Sequence, residues 1–489
     1  VAVFPYPGFV GPSYQLAPPN IASEYVYNWY PQTIQSPTAR MPAKVVYVPT
    51  PGRTAFTTGL DGPPRGSFSQ DGRIFFVAGR YLYEVNGVGT ATNRGFVGAD
   101  SQPASMATNG HGANQLMIVS AGLGWIFDLT ANTLTQITDE GFPANVVQVV
   151  FLAGYFIVMQ AGTSKFFLSD LENGLSWDAA NVGQTTYSSD TLTAMAVLKG
   201  QLWLIGSQRT EVWQNVGSTA SASFPLSPIL GAFSEYGTNA PWSLVEASDR
   251  LWMLGQSAKG NTLILSTEGL FFNKEVSNYA VSYSLSQVPS LSEAVAFSYQ
   301  EAGHSFYKIT FPTTGPTWVY DMNEDMWHQE GEWNDGLGVY KADRAVCHAY
   351  GFGKHLVGDH TTGTIYEQSL TLGTDNGAPI RRARACPHLN NLRQWTFYQQ
   401  FQLDAQVGYG TVSEPDPQVM LRYAKDGGHM WSQPLARSLG AGGAYNQQVT
   451  WSPFAGRARD LVTEISTTAS VPVTLMNAYL RAEGGTEQS

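Results

Sequence analysis

Few side chains in this sequence are spaced for chemistry. The run Asp321-Met-Asn-Glu-Asp325, with Glu332 beyond it, sets carboxylates at the intervals of a calcium loop. Its sixth position is Met326, where such a loop needs glycine for a sharp turn. The run therefore reads as a hairpin turn between Trp318-Val-Tyr320 and Trp327-His328. The two cysteines, Cys347 and Cys386, have no metal-ligand spacing and read as free thiols. No His-x-x-x-His or Cys-x-x-Cys is present, and His429 is the only histidine in the final hundred residues. A zinc site is not expected on that pattern. Walker loops, nucleophile elbows and dinucleotide fingerprints are missing too. These residues predict no catalytic centre, no metal and no cofactor.

Two segments resemble the Asp-box turn of sialidase-type propellers. They are Ser169-Asp-Leu-Glu-Asn-Gly-Leu-Ser-Trp177 and Tyr423-Ala-Lys-Asp-Gly-Gly-His-Met-Trp431. Such a turn is structural: the carboxylate accepts backbone N–H groups, glycine takes positive φ, and tryptophan pins the hairpin. A glycosidase would also need a carboxylate pair at a set separation. A basic cluster stands out in an acidic chain: Arg381, Arg382 and Arg384, then His388 and Arg393. It falls where two domains are expected to meet. These five are candidates for a subunit interface or the domain junction, with DNA contact and a solvated linker as alternatives.

The elements that must hold these residues are strands. From 61 to 385 a short apolar run recurs after a polar or glycine turn. Anchored on Ile74, Leu116, Phe156, Leu202, Leu251, Phe306 and Leu356, the copies are 42, 40, 46, 49, 55 and 50 residues apart. That period, with about four short strands per unit, is the signature of a β-propeller. Seven units can be counted, but a partial terminal unit would leave six blades. Residues 1–60 are rich in Pro, Tyr and Asn (Pro31, Pro42 and Pro49 among them) and read as an extended N-terminal arm. From 386 to 489, alternating runs include Trp395–Leu403, Gln418–Tyr423, Tyr445–Trp451, Arg459–Ile465 and Val471–Leu480. They predict a C-terminal β-sandwich. The fold class is all-β, with no amphipathic helix of ordinary length.

Bulk composition agrees. Charged residues make up 13%, glycine numbers 50 and aromatics reach 12%, which suits short strands and tight turns and excludes disorder. A net charge of −11 makes the chain a poor general binder of nucleic acid, which leaves room for DNA as cargo sliding past a repelling wall. No apolar window predicts a membrane-spanning helix, and Val1 to Pro18 lacks the pattern of a signal peptide.

The ordered landmarks resemble the packaged-DNA stabilisation proteins of short-tailed bacteriophages, also called tail accessory or tail nozzle proteins. They include Asn28-Trp-Tyr-Pro31, Pro49-Thr-Pro-Gly-Arg-Thr-Ala-Phe56, Glu211-Val-Trp-Gln-Asn215 and Gly303-His-Ser-Phe-Tyr307. Thr317-Trp-Val-Tyr-Asp321, Leu356-Val-Gly-Asp359, Pro387-His388 and Gly456-Arg-Ala-Arg-Asp460 follow in the same order. The resemblance implies a non-enzymatic subunit of a homo-hexameric tube below the portal and its adaptor proteins. It implies a tail needle or plug and tail fibres or spikes as neighbours, and double-stranded DNA passing without sequence-specific binding. It implies location in the virion tail, assembly in the host cytoplasm and no membrane insertion. The competing expectation is a propeller that binds or hydrolyses host-surface glycans. Clustered carboxylates and exposed aromatics at the top of the propeller would favour it.

Overall fold

The computed structural model describes residues 2–35, 44–110, 114–186, 190–217, 224–257, 260 and 262–484. Pro42 of the expected arm lies outside them. Among the described residues one α-helix occurs, Tyr279–Ser286, started by Asn278, whose side chain accepts the Val281 N–H. Everything else that is regular is strand or short 3-10 turn.

Among the described residues, seven antiparallel sheets form a ring of blades, spanning 64–96, 105–136, 146–184, 192–234, 236–275, 295–330 and 345–369. In six of them the first two strands meet at a two-residue turn with both residues at positive φ, as at Asp71-Gly72, Ala153-Gly154 and Lys199-Gly200. That is the type I′ geometry, whose twist matches the strands it joins. The second strand of each blade is mostly apolar at its centre because it is covered on both faces, and in blade six that run is interrupted by a buried lysine, Lys308. In Arg73–Ala78, Ile74 and Phe76 pack toward blade seven, while Phe75 and Val77 pack toward blade two. The period of two thus feeds two different cores. Seven buried clusters fill the seven gaps between neighbouring blades. Each buried Leu, Phe or Trp in them stabilises the ring by roughly 1.5–3 kcal/mol.

Six blades are built from strands consecutive in sequence. The seventh takes its outer strand, Gly52–Thr57, from the N-terminal region, paired with Ile365–Ser369. That strand carries Arg53, whose guanidinium holds both oxygens of Asp343 at 2.8 and 2.7 Å. Lys308 of blade six donates to Asp343 at 2.8 Å and to Glu330. All four side chains are buried. The ring is therefore closed by backbone pairing and a buried ionic cluster across the blade six–seven gap.

The sandwich has two sheets. One runs Trp29–Ile34, Lys44–Pro49, Leu475–Gly484, Thr396–Ala405 and Val449–Trp451, with Ala2–Pro5 on Leu475–Gly484. The other runs Ser23–Tyr27, Arg382–Ala385, Val462–Thr467, Gln418–Ala424 and Leu435–Ser438. Trp29, Tyr47, Phe401, Trp451, Ile465 and Leu480 fill the space between them. The second sheet is continuous with blade six, because Tyr27 pairs in parallel with Gln329.

The described residues among the first sixty are thus not a separate arm. They supply strands to both sandwich sheets and to blade seven. Their prolines fit because Pro31 lies in Trp29–Ile34, an edge strand that need not donate on its open side.

Arg53→Ala leaves Asp343 buried without its bidentate partner. We expect a loss of about 3–5 kcal/mol in urea unfolding. A loss of only about 1 kcal/mol, the level of an exposed pair, would show that this cluster does not secure the ring.

Candidate functional site at the propeller–sandwich junction

Strand Arg382–Ala385 lies inside the shared sheet, between Ser23–Tyr27 and Val462–Thr467. Both faces of that sheet are covered here, so Arg382 and Arg384 are buried. Arg384 donates to three carbonyls of the N-terminal segment, Gly8 and Phe9 at 3.0 Å and Pro12 at 3.3 Å. Arg382 donates to Ala469 O at 3.3 Å, and burial pulls its pKa down to about 10. Neither can reach DNA or a neighbouring subunit.

Arg381 lies at the end of this strand. It donates to Glu464 at 3.0 Å and stacks 3.7 Å over Trp333. Glu464 is fully buried and also accepts from Arg422 and the Tyr25 hydroxyl. Trp333 belongs to a hairpin, Glu332–Asn334 with Val339–Lys341, whose Tyr340 stacks on Tyr27 at 3.8 Å. His388 bridges Asp460 at 2.8 Å and the Pro19 carbonyl at 2.9 Å. Arg393 is exposed in a turn, with no ion pair among the described residues. Of the five basic candidates, Arg381 reaches across the junction to Trp333, while Arg382, Arg384 and His388 are satisfied within the sandwich and the N-terminal segment and Arg393 lies outside.

Asn28 pins the seam between the two bodies. With φ 60 it turns the chain between two strands of different sheets. Its side chain donates to the carbonyls of Gly331 and Arg381 and accepts from the Gly331 N–H at 3.0 Å. An amide side chain thus pairs with backbone as another strand would. Behind it is a cavity of about 150 Å³, lined by Arg53, Glu330, Asp343, Arg344, Asp375 and Arg381 among others. Such a space suits a few water molecules and excludes a sugar or nucleotide. Four carboxylates and three guanidinium groups meet in this wall once Glu332 is included. Their electrostatics are internal. Burial opposes ionisation of Glu330, yet the Lys308 ammonium overrides it and holds the carboxyl at about 2. Burial likewise opposes Asp343, and Arg53 and Lys308 hold it well below the carboxylate range.

The other sequence motifs resolve as turns. Asp321 accepts the Asn323 N–H at 2.9 Å and pairs with His304 at 2.6 Å, closing the hairpin of Thr317–Asp321 and Met326–Glu330. Asp170 accepts from the Ser176 hydroxyl at 2.6 Å, and Trp177 donates to Gly174 O at 2.8 Å. Asp426 accepts the N–H groups of His429 and Met430, with Trp431 beneath Arg422. Among the described residues no three metal-ligating side chains are grouped. Both cysteines are unbridged and buried, and burial pushes Cys347 up to about 12 and Cys386 up to about 11. No described helix is long and apolar enough to cross a membrane.

Residues of blades one, six and seven, with Trp242 of the turn in blade five, converge on a cavity of about 470 Å³ at the propeller mouth. Its two carboxylates are committed. Asp100 pairs with Arg65, and Glu293 accepts the backbone N–H and hydroxyl of Thr314.

The fold is a propeller and a sandwich sharing one sheet, their buried charges met by one another or by backbone carbonyls. Comparison with known proteins gives its lineage. Residues 24–372 match the phage stabilisation family, described as bacteriophage P22 Gp10, β-propeller, and residues 381–483 match the bacteriophage P22 Gp10 β-sandwich family. The chain belongs to this phage stabilisation family of structural proteins. No curated protein sequence matches it. Among solved structures, the N-terminal domain of Nup159 is similar at 10% identity, over 65% of this chain and 95% of that one, with a TM-score of 0.39. The extracellular domain of BT4673 from B. thetaiotaomicron matches at 9% identity over 85% of this chain and 57% of that one, with a TM-score of 0.40. An exo-β-1,3-galactanase from Phanerochaete chrysosporium matches at 8% identity over 89% and 100%, with a TM-score of 0.30. None of these likenesses bears on function.

The depressed carboxyls make stability acid-labile. Glu330 titrates lower in the folded chain than its ordinary 4.5, so its contribution is complete above pH 4.5 and is lost as pH falls toward 2. Asp343 acts in the same direction. Urea midpoints measured down from pH 6 should fall most steeply below about 4.5. A flat profile there would contradict the buried pairing.

Proposed function

We propose that this chain is a subunit of the tail nozzle of a short-tailed phage. Six copies form a tube below the portal-adaptor ring, help retain packaged DNA and form the channel for its ejection. The observation that carries this reading is the family match to both bodies in order, 24–372 and 381–483. A net charge of −11 supports it, because an acidic wall repels phosphate and lets a duplex slide without gripping it. Portal-adaptor proteins above, a needle or plug below, and fibres or spikes beside it are the partners. Assembly in the host cytoplasm suits two buried, unbridged cysteines.

Phage particles made without this chain should lose their DNA, read as genome that becomes accessible to added nuclease. Particles that keep nuclease-resistant DNA in its absence would overturn the reading. Cryo-electron microscopy of complete particles should place six copies about the tail axis, and a different number would overturn the hexamer.

A further inference from the structure

One exposed face of the sandwich departs in charge from the rest of the molecule. Of the 27 Lys and Arg residues and 38 Asp and Glu residues, positions 381–489 hold ten and eight, leaving seventeen and thirty in 1–380. Positions 381–489 are thus net +2, with the buried Arg382 and Arg384 included, and positions 1–380 are net −13. Two exposed arginines, Arg457 and Arg459, flank Trp395, their guanidinium carbons 4.2 and 4.7 Å from its ring centroid. Stacking of this kind fixes the guanidinium plane and leaves its donors free for carboxylates. Strand pairing carries the face across the sheet: Arg457 lies opposite Phe397, and Arg481 lies opposite Val3. Phe397 and Val3 are large exposed apolar side chains. Glu483, opposite Phe397, is the one carboxylate in this row, and it is hydrogen-bonded by Gln399 at 3.4 Å. Among the described residues no ion pair engages Arg457, Arg459 or Arg481. Arginine, tryptophan and phenylalanine are the residues that concentrate at protein–protein contacts.

The acidic propeller carries a complement. Around the first Asp-box turn, Glu140, Asp170, Glu172 and Asp178 are exposed, with Leu171 62% and Leu175 39% exposed among them. Asp139 holds this cluster together by accepting the N–H groups of Gly141 and Trp177. No ion pair neutralises these carboxylates among the described residues. Acid around apolar on blade three matches arginine around aromatic on the sandwich.

The geometry points to a head-to-tail contact between copies of this chain, in which the Arg457–Arg459–Trp395 face of one sandwich docks on the acidic blade-three surface of the next copy. This rests on the ring proposed above and names a contact that would build it. Because the two surfaces differ, the contact is heterologous, and it repeats around an axis until the ring closes. Charge complementarity favours protein over nucleic acid as the occupant. Three or four cations on a chain that is net negative would bind phosphate weakly and with strong salt dependence.

The test is sedimentation of the full chain as wild type, as Arg457→Glu/Arg459→Glu, and with Glu140→Lys/Glu172→Lys added to that pair. Thermal unfolding checks that each variant folds. The double reversal should raise the assembly dissociation constant roughly tenfold or more, and the four-site swap should restore assembly. Variants that assemble like a wild type that itself assembles overturn this contact and leave the ring standing. A wild type that stays monomeric at every concentration overturns both. A double reversal that spares assembly but weakens binding of a duplex oligonucleotide overturns the contact and assigns the face to phosphate.

Discussion

The propeller cannot close until Gly52–Thr57 returns to Ile365–Ser369, and everything else in the molecule accommodates that return. A contact between residues so far apart carries a large loop-closure cost. The apolar gap between blades six and seven offsets part of it, as do the ladder and the Arg53–Asp343–Lys308–Glu330 cluster. The cluster is balanced, two cations against two carboxylates, so no net charge is buried. It also discriminates. A wrong strand in that position would leave Asp343 facing Lys308 without its guanidinium partner, a costly state in a low-dielectric interior.

The same return brings the N-terminal segment past the sandwich, and the sandwich is built on it. Trp29 is fully buried in the sandwich core, and its indole donates to Val473 O at 2.9 Å. Arg384 is held by carbonyls of residues 8, 9 and 12. The two bodies therefore share strands as well as a surface. That explains why basic residues between them turned inward: a linker would have left them in water, whereas a shared sheet covers both of their faces.

Much of the propeller was legible because its second strands are buried on both sides. All seven anchors, from Ile74 to Leu356, lie in the second strand of their blade. Local apolar runs and turn residues carry that information. The closing strand was not legible, since pairing between Gly52–Thr57 and blade seven has no local signature. Proline content misled at Pro31, which an edge strand tolerates. At the junction the sequence showed which residues were charged but not what would satisfy them. Arg384 is satisfied by backbone carbonyls, which no residue type announces. Glu464 lies within Val462–Thr467, where all six residues are buried, so alternation gave no warning of an interior carboxylate. Lys308 carried the better signal, as a cation set between Phe306, Tyr307 and Ile309.

The seam at Asn28 has a mechanical meaning. Sandwich and blade six meet through Tyr27 beside Gln329 in the sheet they share and, just past those strand ends, through the Asn28 amide on Gly331. A tug along the strands loads these bonds together, in shear, and they resist as a group. A tug across the sheet would peel them one after another. The joint is therefore stiff in one direction and yielding in the other, so a load reaching the molecule would be transmitted or absorbed according to its angle to that single sheet.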